Sequence, residues 1–238
     1  MITQGPEFSG YSVWGFAAAN RYHCHKAKNV AMPDEKMEQT VELQDTQLSL
    51  YSLVLAAGNA SRFGGIKQLA EYLDESLVRR SLRLGTQVSG RKTLLIVGAE
   101  WQRVIADCRE HVPFIVRNEN AASGMASSIA CGVRAAQPAA DAILILLADQ
   151  PLITLDHLLS LEKSWRASPS SIVATEFGAL VGPPVIFPAT YFAALSTLSG
   201  DAGAKSILKN NSDAVIKIAF ADAAVDIDTP EDLQRLSS

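Results

Sequence analysis

The chain has 238 residues, 48% of them hydrophobic and 19% charged, with a formal net charge of −4. That length suffices for one large domain, and the composition is that of an ordinary soluble globular protein. The mild negative charge argues against a nucleic-acid-binding surface, and no apolar run is long enough to span a bilayer.

Residues 1–48 do not read like the rest. Phe8, Tyr11, Trp14 and Phe16 supply apolar surface without a period, and Lys26, Lys28, Asp34, Glu35 and Lys36 follow as a polar stretch. Neither a basic start ahead of an apolar core nor a small-residue cleavage site is evident, so a secretory signal is not expected. Met32 and Met37 are alternative starts. The segment is expected to be an extension, mostly disordered or an overlong start, ahead of a single domain over residues 49–238. His23 and His25 bracket Cys24, but no fourth ligand is near, so an irregular tail is a better reading than a metal site. The three cysteines, Cys24, Cys108 and Cys131, lack metal-site spacing, and an odd count argues against a disulfide framework. Reduced cytoplasmic thiols are the simplest reading.

From Leu50 the chain alternates. Ser52–Ala57 reads as a strand buried on both faces. Helical spacing follows over Leu77–Val88, stopped by Ser89-Gly90. Thr93–Val97 is a strand, Trp101–Arg109 a helix and Phe114–Val116 a strand. Ser123–Ala136 reads as a helix with a serine N-cap. Ala142–Ala148, the most apolar run, is expected to be the central strand, and Leu155–Trp165 a helix behind the cap Thr154. Ile172–Thr175 and Val185–Phe187 are further strands. Ala202–Lys209 is a helix, Ala214–Phe220 a strand and Pro230–Leu236 a closing helix. Such alternation predicts a Rossmann-like, three-layer α/β/α fold with a mostly parallel sheet. Ligand sites in such sheets lie at the carboxyl ends of the strands.

The first strand runs into a loop, Ala56-Ala-Gly58-Asn-Ala-Ser-Arg62-Phe-Gly64-Gly-Ile-Lys67-Gln68. Glycines let backbone N–H groups approach an anion, and Arg62 and Lys67 add two cations, which suits a polyphosphate. The Walker pattern fails because Gln68 follows Lys67, and the dinucleotide fingerprint fails at its second glycine. Asp149, emerging from the most apolar strand ahead of Pro151, suits magnesium, which takes one or two carboxylates together with substrate phosphates. Asp226 and Asp228 offer a second carboxylate, with Asp228 narrowly preferred. The competing reading makes Thr229 or Asp228 an N-cap with Pro230 at the first helical position. Around Ser123-Gly124, backbone N–H groups and the hydroxyls of Ser127 and Ser128 could read a base edge or hold a phosphate, or simply cap a helix. Gly182-Pro183-Pro184 and Gly200–Lys205 read as turns, the latter as a candidate wall of the acceptor site.

The loop resembles the L-A-A-G-x-x-x-R-x-G-x-x-K signature of nucleotidyltransferases. Leu55 to Gly64, Lys67-Gln68, Asn118 to Ser128, Leu147 to Pro151, Gly182 to Val185 (with an extra proline at Pro183), Gly200 to Ala204 and Asp226 to Leu233 occur in one order. Together they resemble the molybdenum cofactor cytidylyltransferase family, from about residue 50 onward. The resemblance implies a nucleotide-diphospho-sugar transferase-like fold. It also implies transfer of CMP from CTP to the phosphate of molybdopterin-bound molybdenum, with release of pyrophosphate. Lys67 and Arg62 would be the catalytic cations. Leu55, Ala56, Ala57, Gly58, Gly64, Lys67, Asn118, Gly124 and Ser128 would contact the nucleotide, and Asp149 with Asp228 or Asp226 would hold Mg2+. The implied partner is a recipient molybdenum hydroxylase or its chaperone, with no nucleic acid and no membrane. Guanylyl-transferring relatives tend to carry Gly-Gly where this chain has Ala57-Gly58, which tilts the reading toward cytosine. Related enzymes with the same loop activate sugar phosphates or methylerythritol phosphate.

Overall fold

Leu53 and Val54, Leu95 and Ile96, and Ile143 and Leu144 are three adjacent pairs of fully buried residues. Successive strand residues point to opposite faces, so runs like these need cover on both sides. The cover is built by the segments between them. A computed structural model describes residues 2–4, 13–16, 48–58, 63–108, 114–200 and 203–236. In chain order its elements are β1 (Ile2–Gln4), β2 (Val13–Phe16), β3 (Leu50–Ala56), β4 (Glu71–Tyr72), β5 (Glu75–Ser76), α1 (Leu77–Ser89) and β6 (Thr93–Val97). Next come α2 (Trp101–Cys108), β7 (Phe114–Arg117), α3 (Met125–Ala136), β8 (Ala142–Leu147), α4 (Leu155–Ala167), β9 (Ile172–Phe177) and β10 (Leu180–Pro188). The last are α5 (Phe192–Ser196), α6 (Lys205–Asn210), β11 (Val215–Ala219) and α7 (Pro230–Leu236).

The main sheet has the order β1-β2-β7-β6-β3-β8-β10-β9-β11. From β7 to β11 every strand is parallel except β10, which is antiparallel to both neighbours. The sheet is therefore mostly parallel, and β8 is the middle strand of those seven, as its all-apolar sequence predicts. β1 and β2 form an antiparallel hairpin on the β7 edge. The remainder of the first 47 residues, His23, Cys24 and His25 included, lies outside the described residues.

Each face of the sheet has its own core. Val54, Leu95 and Leu144 pack with Leu82 of α1, Val104 of α2 and Leu158 and Trp165 of α4. Leu53, Ile96 and Ile143 pack with Ile129 and Val133 of α3, Leu195 of α5 and Ile207 of α6. Three layers follow directly. Gly132 marks how closely α3 approaches: a Cβ there would lie 2.9 Å from Leu53 Cδ1 and 3.0 Å from Ile96 Cδ1.

The structure departs from the sequence reading at several places, and α6 for one begins at Lys205 rather than Ala202. α3 begins at Met125, not Ser123, and its N-cap is Gly124, with φ +102° and no side-chain cap. Ser123 closes a short 3-10 turn instead, its Oγ donating to Asn120 O at 2.7 Å. β10 begins at Leu180, so Gly182-Pro183-Pro184 lies inside a strand rather than before one. Proline has no N–H for a ladder, and the β9–β10 register slips between Gly182 and Val185. The β4–β5 hairpin and α5 were too short to show a period.

Candidate active site

β3, β6 and β8 run side by side and end level: Leu55 faces Ile96 on one side and Leu147 on the other. The segments that follow them, Ala57-Gly58, Gly98 and Ala148-Asp149, therefore emerge on one rim. Gly98 packs so tightly that a Cβ would lie 2.7 Å from Ala57 O and 3.0 Å from Ala121 Cβ. A cleft of about 370 Å³ opens there, lined by Leu55, Ala57, Gly58, Lys67, Gln68, Ala121, Ala122, Gly124, Met125, Ser128, Leu147, Ala148 and Asp149.

Lys67 begins a short 3-10 turn, and its Nζ reaches Asp149 Oδ2 at 2.8 Å and Asp228 Oδ1 at 3.0 Å. Burial disfavours its charge, but the Asp149 and Asp228 carboxylates outweigh burial and raise its pKa above the usual lysine value. Asp228 arrives from 161 residues along the chain. Its segment is pinned to the central strand's turn: Ile227 N donates to Asp149 O at 2.9 Å, and Ile227 is fully buried. Capping of α7 is carried by a reciprocal pair. Thr229 N donates to Asp232 Oδ2 at 2.8 Å, and Asp232 N donates to Thr229 Oγ1 at 3.3 Å. The Asp228 side chain is thereby left to face Lys67.

Asp226 makes no hydrogen bond to Lys67. Part of the residue faces solvent, yet packing around its carboxyl, with the Asp149 charge beside it, pushes its pKa up to about 6. Gln150 is buried. Its Nε2 donates to Ala223 O at 3.0 Å, tying the end of β8 to the turn that leads into Asp226.

The remaining predicted residues divide. Leu55, Ala57, Gly58, Gly124 and Ser128 line the cleft with Lys67 and Asp149. Ala56 and Gly64 line a second cleft of about 530 Å³ on the other side of the same loop, which also includes Gly98, Glu100 and Arg103. Asn118 lines neither. Its Nδ2 donates to Ser127 Oγ at 2.8 Å and Ser128 Oγ at 3.0 Å, so it orients hydroxyls rather than facing the cavity. At the start of α3, Ala126 N donates to Gly200 O at 3.2 Å and Ser127 N to Gly124 O at 3.1 Å. Those two donors are spent and do not serve an anion. Arg62 lies outside the described residues.

Gln68 and Met125 stand within the motifs read from the sequence but had no role assigned there. Gln68 is buried and its Nε2 donates to Gly58 O at 2.9 Å, closing the neck of the glycine loop. Met125, a large apolar residue at a helix start, is 41% exposed in the cleft wall.

The MobA-like NTP transferase domain family matches residues 52–215, more than half of the chain. The chain belongs to that family. It is a nucleotidyltransferase. The purine catabolism protein PucB of Bacillus subtilis (strain 168) is 32% identical over 196 residues, covering 77% of this chain and 93% of that one. The nicotine blue oxidoreductase of Paenarthrobacter nicotinovorans is 32% identical over 202 residues, covering 81% and 98%. The crystal structure of Rv0371c from Mycobacterium tuberculosis H37Rv superposes with a TM-score of 0.70 at 27% identity, covering 80% of this chain and 99% of that chain. A second structure of that protein, in complex with manganese, gives a TM-score of 0.65 at 25% identity, covering 79% and 97%. Asp226 and Asp228 of this MobA-like chain follow the matched range.

Among the described residues no group of three or more His, Cys, Asp or Glu could by itself hold a metal. A hard cation that shares its ligands with substrate phosphates needs only one or two carboxylates. Asp149 fits that need: Oδ1 is buried without a hydrogen-bond partner, while Oδ2 meets Lys67. Asp228 supplies the second oxygen-bearing group across the same ammonium. Among the described residues no helix is long and apolar enough to cross a membrane.

Proposed function

We propose that the chain transfers CMP from CTP to the terminal phosphate of molybdopterin-bound molybdenum, releasing pyrophosphate. The observation that carries this reading is the convergence of Lys67 with Asp149 at 2.8 Å and Asp228 at 3.0 Å beside the Ala57-Gly58 turn. A triphosphate needs a cation, a metal-holding acid and a backbone that it can approach, and here all three meet at one cleft.

In this reading the Lys67 ammonium binds oxygens of the triphosphate and balances the charge that grows as pyrophosphate departs. Arg62, in the same loop, is the second cation. A phosphate oxygen of the acceptor forms a bond to the α-phosphorus in line, while the bond from that phosphorus to the bridging α–β oxygen breaks. Asp149 and Asp228 would hold magnesium, with Asp226 beside them. Magnesium, when bound, would supply charge neutralisation for the phosphates. Ala57, Gly58 and Ser128 line the wall for base and ribose, with Ser128 oriented by Asn118. Ala57 supports cytosine, because a methyl group where guanylyl-transferring relatives tend to have glycine narrows the wall. The acceptor rests on the ordered motifs from Leu55 to Leu233.

The test is pyrophosphate release with each of the four nucleoside triphosphates, with and without molybdenum cofactor. Release with CTP only when the cofactor is present is the expected result. Release with GTP, or with a sugar phosphate, reassigns the base or the acceptor. Tight cofactor binding with no release under any condition makes the protein a carrier.

A further inference from the structure

One ammonium faces two acids at the foot of the cleft. Lys67 Nζ lies 2.8 Å from Asp149 Oδ2 and 3.0 Å from Asp228 Oδ1, with only 13% of the lysine side chain exposed. These are the two carboxylates to which the proposed function assigns magnesium, and the inference rests on that reading. An ammonium has three donors and no acceptor. Two donors are committed here, both to charged acceptors, which make the stronger class of hydrogen bond. Each acid therefore already has a cation, and Asp149 Oδ1 is buried without a hydrogen-bond partner.

We propose that Lys67 occupies the metal position against free divalent cations and leaves it only for a triphosphate, so that the enzyme takes its metal as the metal–nucleotide complex. A free cation entering alone must break both contacts and then share a partly desolvated space with a displaced positive charge. Among the described residues the ammonium's ion pairs are with these two acids, the same groups that a metal would claim. A triphosphate changes the balance. Its oxygens replace the carboxylates as acceptors for the lysine, and the acids become available in the same event. Lys67 then plays two successive parts, a stand-in for the metal before binding and a phosphate ligand after it. Metal and nucleotide must accordingly bind with positive coupling, each raising the affinity of the other.

Isothermal calorimetry with Mn2+ alone tests this on the full chain, using wild type, Lys67→Met and Lys67→Gln. Without nucleotide, both variants are expected to bind Mn2+ at least about tenfold more tightly than wild type, the factor set by loss of one charge-assisted contact. Equal or weaker binding by both variants overturns the inference. Asp149→Asn on the Lys67→Met background separates the inference from the reading beneath it. Loss of Mn2+ affinity there supports both. Unchanged affinity shows the metal lies elsewhere and overturns the metal assignment along with the inference. Far-UV circular dichroism reports whether the variants fold. If they do not, wild type alone decides, titrated with a non-hydrolysable CTP analogue and, separately, a GTP analogue. Tighter analogue binding with Mn2+ present, against negligible Mn2+ binding alone, supports the inference. Mn2+ binding of equal strength with and without either analogue overturns it.

Discussion

Removing the Lys67 ammonium leaves Asp149 and Asp228 beside each other without their shared counter-ion. Lys67→Ala is expected to lower kcat by roughly 10²–10³-fold, the scale seen when one preorganised charge-stabilising donor is lost. Far-UV circular dichroism should stay native, since the residue belongs to no core cluster, and near-normal turnover would count against its role. Gly98→Ala acts through shape instead. Its new Cβ would lie 2.7 Å from Ala57 O, which is backbone and cannot swing aside. A cost of about 1–3 kcal/mol in thermal unfolding is expected, together with a raised KM for nucleotide as Ala57 is displaced. At this scale residue type was legible and orientation was not. Lys67 and Asp149 announced themselves by charge beside apolar runs. The motif resemblance made Asn118 a nucleotide contact, yet its amide is used on Ser127 and Ser128. Gln68 was visible as a motif residue, but its role was not, because nothing local shows that it reaches back to Gly58.

Among the helices, α4 carries a titratable group inside the core. His157 is buried, stacks on Phe220 at 4.4 Å between ring centroids, and lies 2.8 Å from Thr175 Oγ1. Thr175 Oγ1 already donates to Pro184 O at 2.7 Å, so the network assigns the ring a protonated Nε2. Burial lowers its pKa from 6.5 to about 4. Between those values the folded chain binds fewer protons than the unfolded one. Stability is therefore complete above pH 6.5 and is lost as pH falls through about 4. Asp226, whose raised pKa of about 6 acts with the opposite sign, is common to wild type and His157→Gln, so the stability difference between the two, from chemical denaturation across that window, should change with a slope approaching ~1.4 kcal/mol per pH unit. Element positions were legible wherever a run is buried on both faces, as in β6 and β8. Direction was not: nothing in Val185–Phe187 distinguishes an antiparallel strand from a parallel one. The start of α3 was misjudged because serine beside a helix is a common cap, whereas here a positive-φ glycine makes the entry.

Across the molecule, the catalytic assignment draws on β3, β8 and the segment after β11, all on one rim, while β1 and β2 pair only along the far β7 edge. A chain lacking residues 1–47 is expected to retain turnover, measured as pyrophosphate release per mole of folded protein. Ser49 N donating to Asp141 Oδ2 at 2.7 Å, and Arg166 Nη1 donating to Leu48 O, would still anchor the start of β3. Loss of turnover would mean that the hairpin edge supports the site. Asp228 has a different bearing on how the enzyme is made. It follows the last strand, whereas the glycine turn, Lys67 and Asp149 are all translated earlier. A polypeptide whose synthesis stops after β11 would carry the loop, the lysine and the first acid, but not the second. The ribosome must therefore finish every strand before Lys67 can meet both acids.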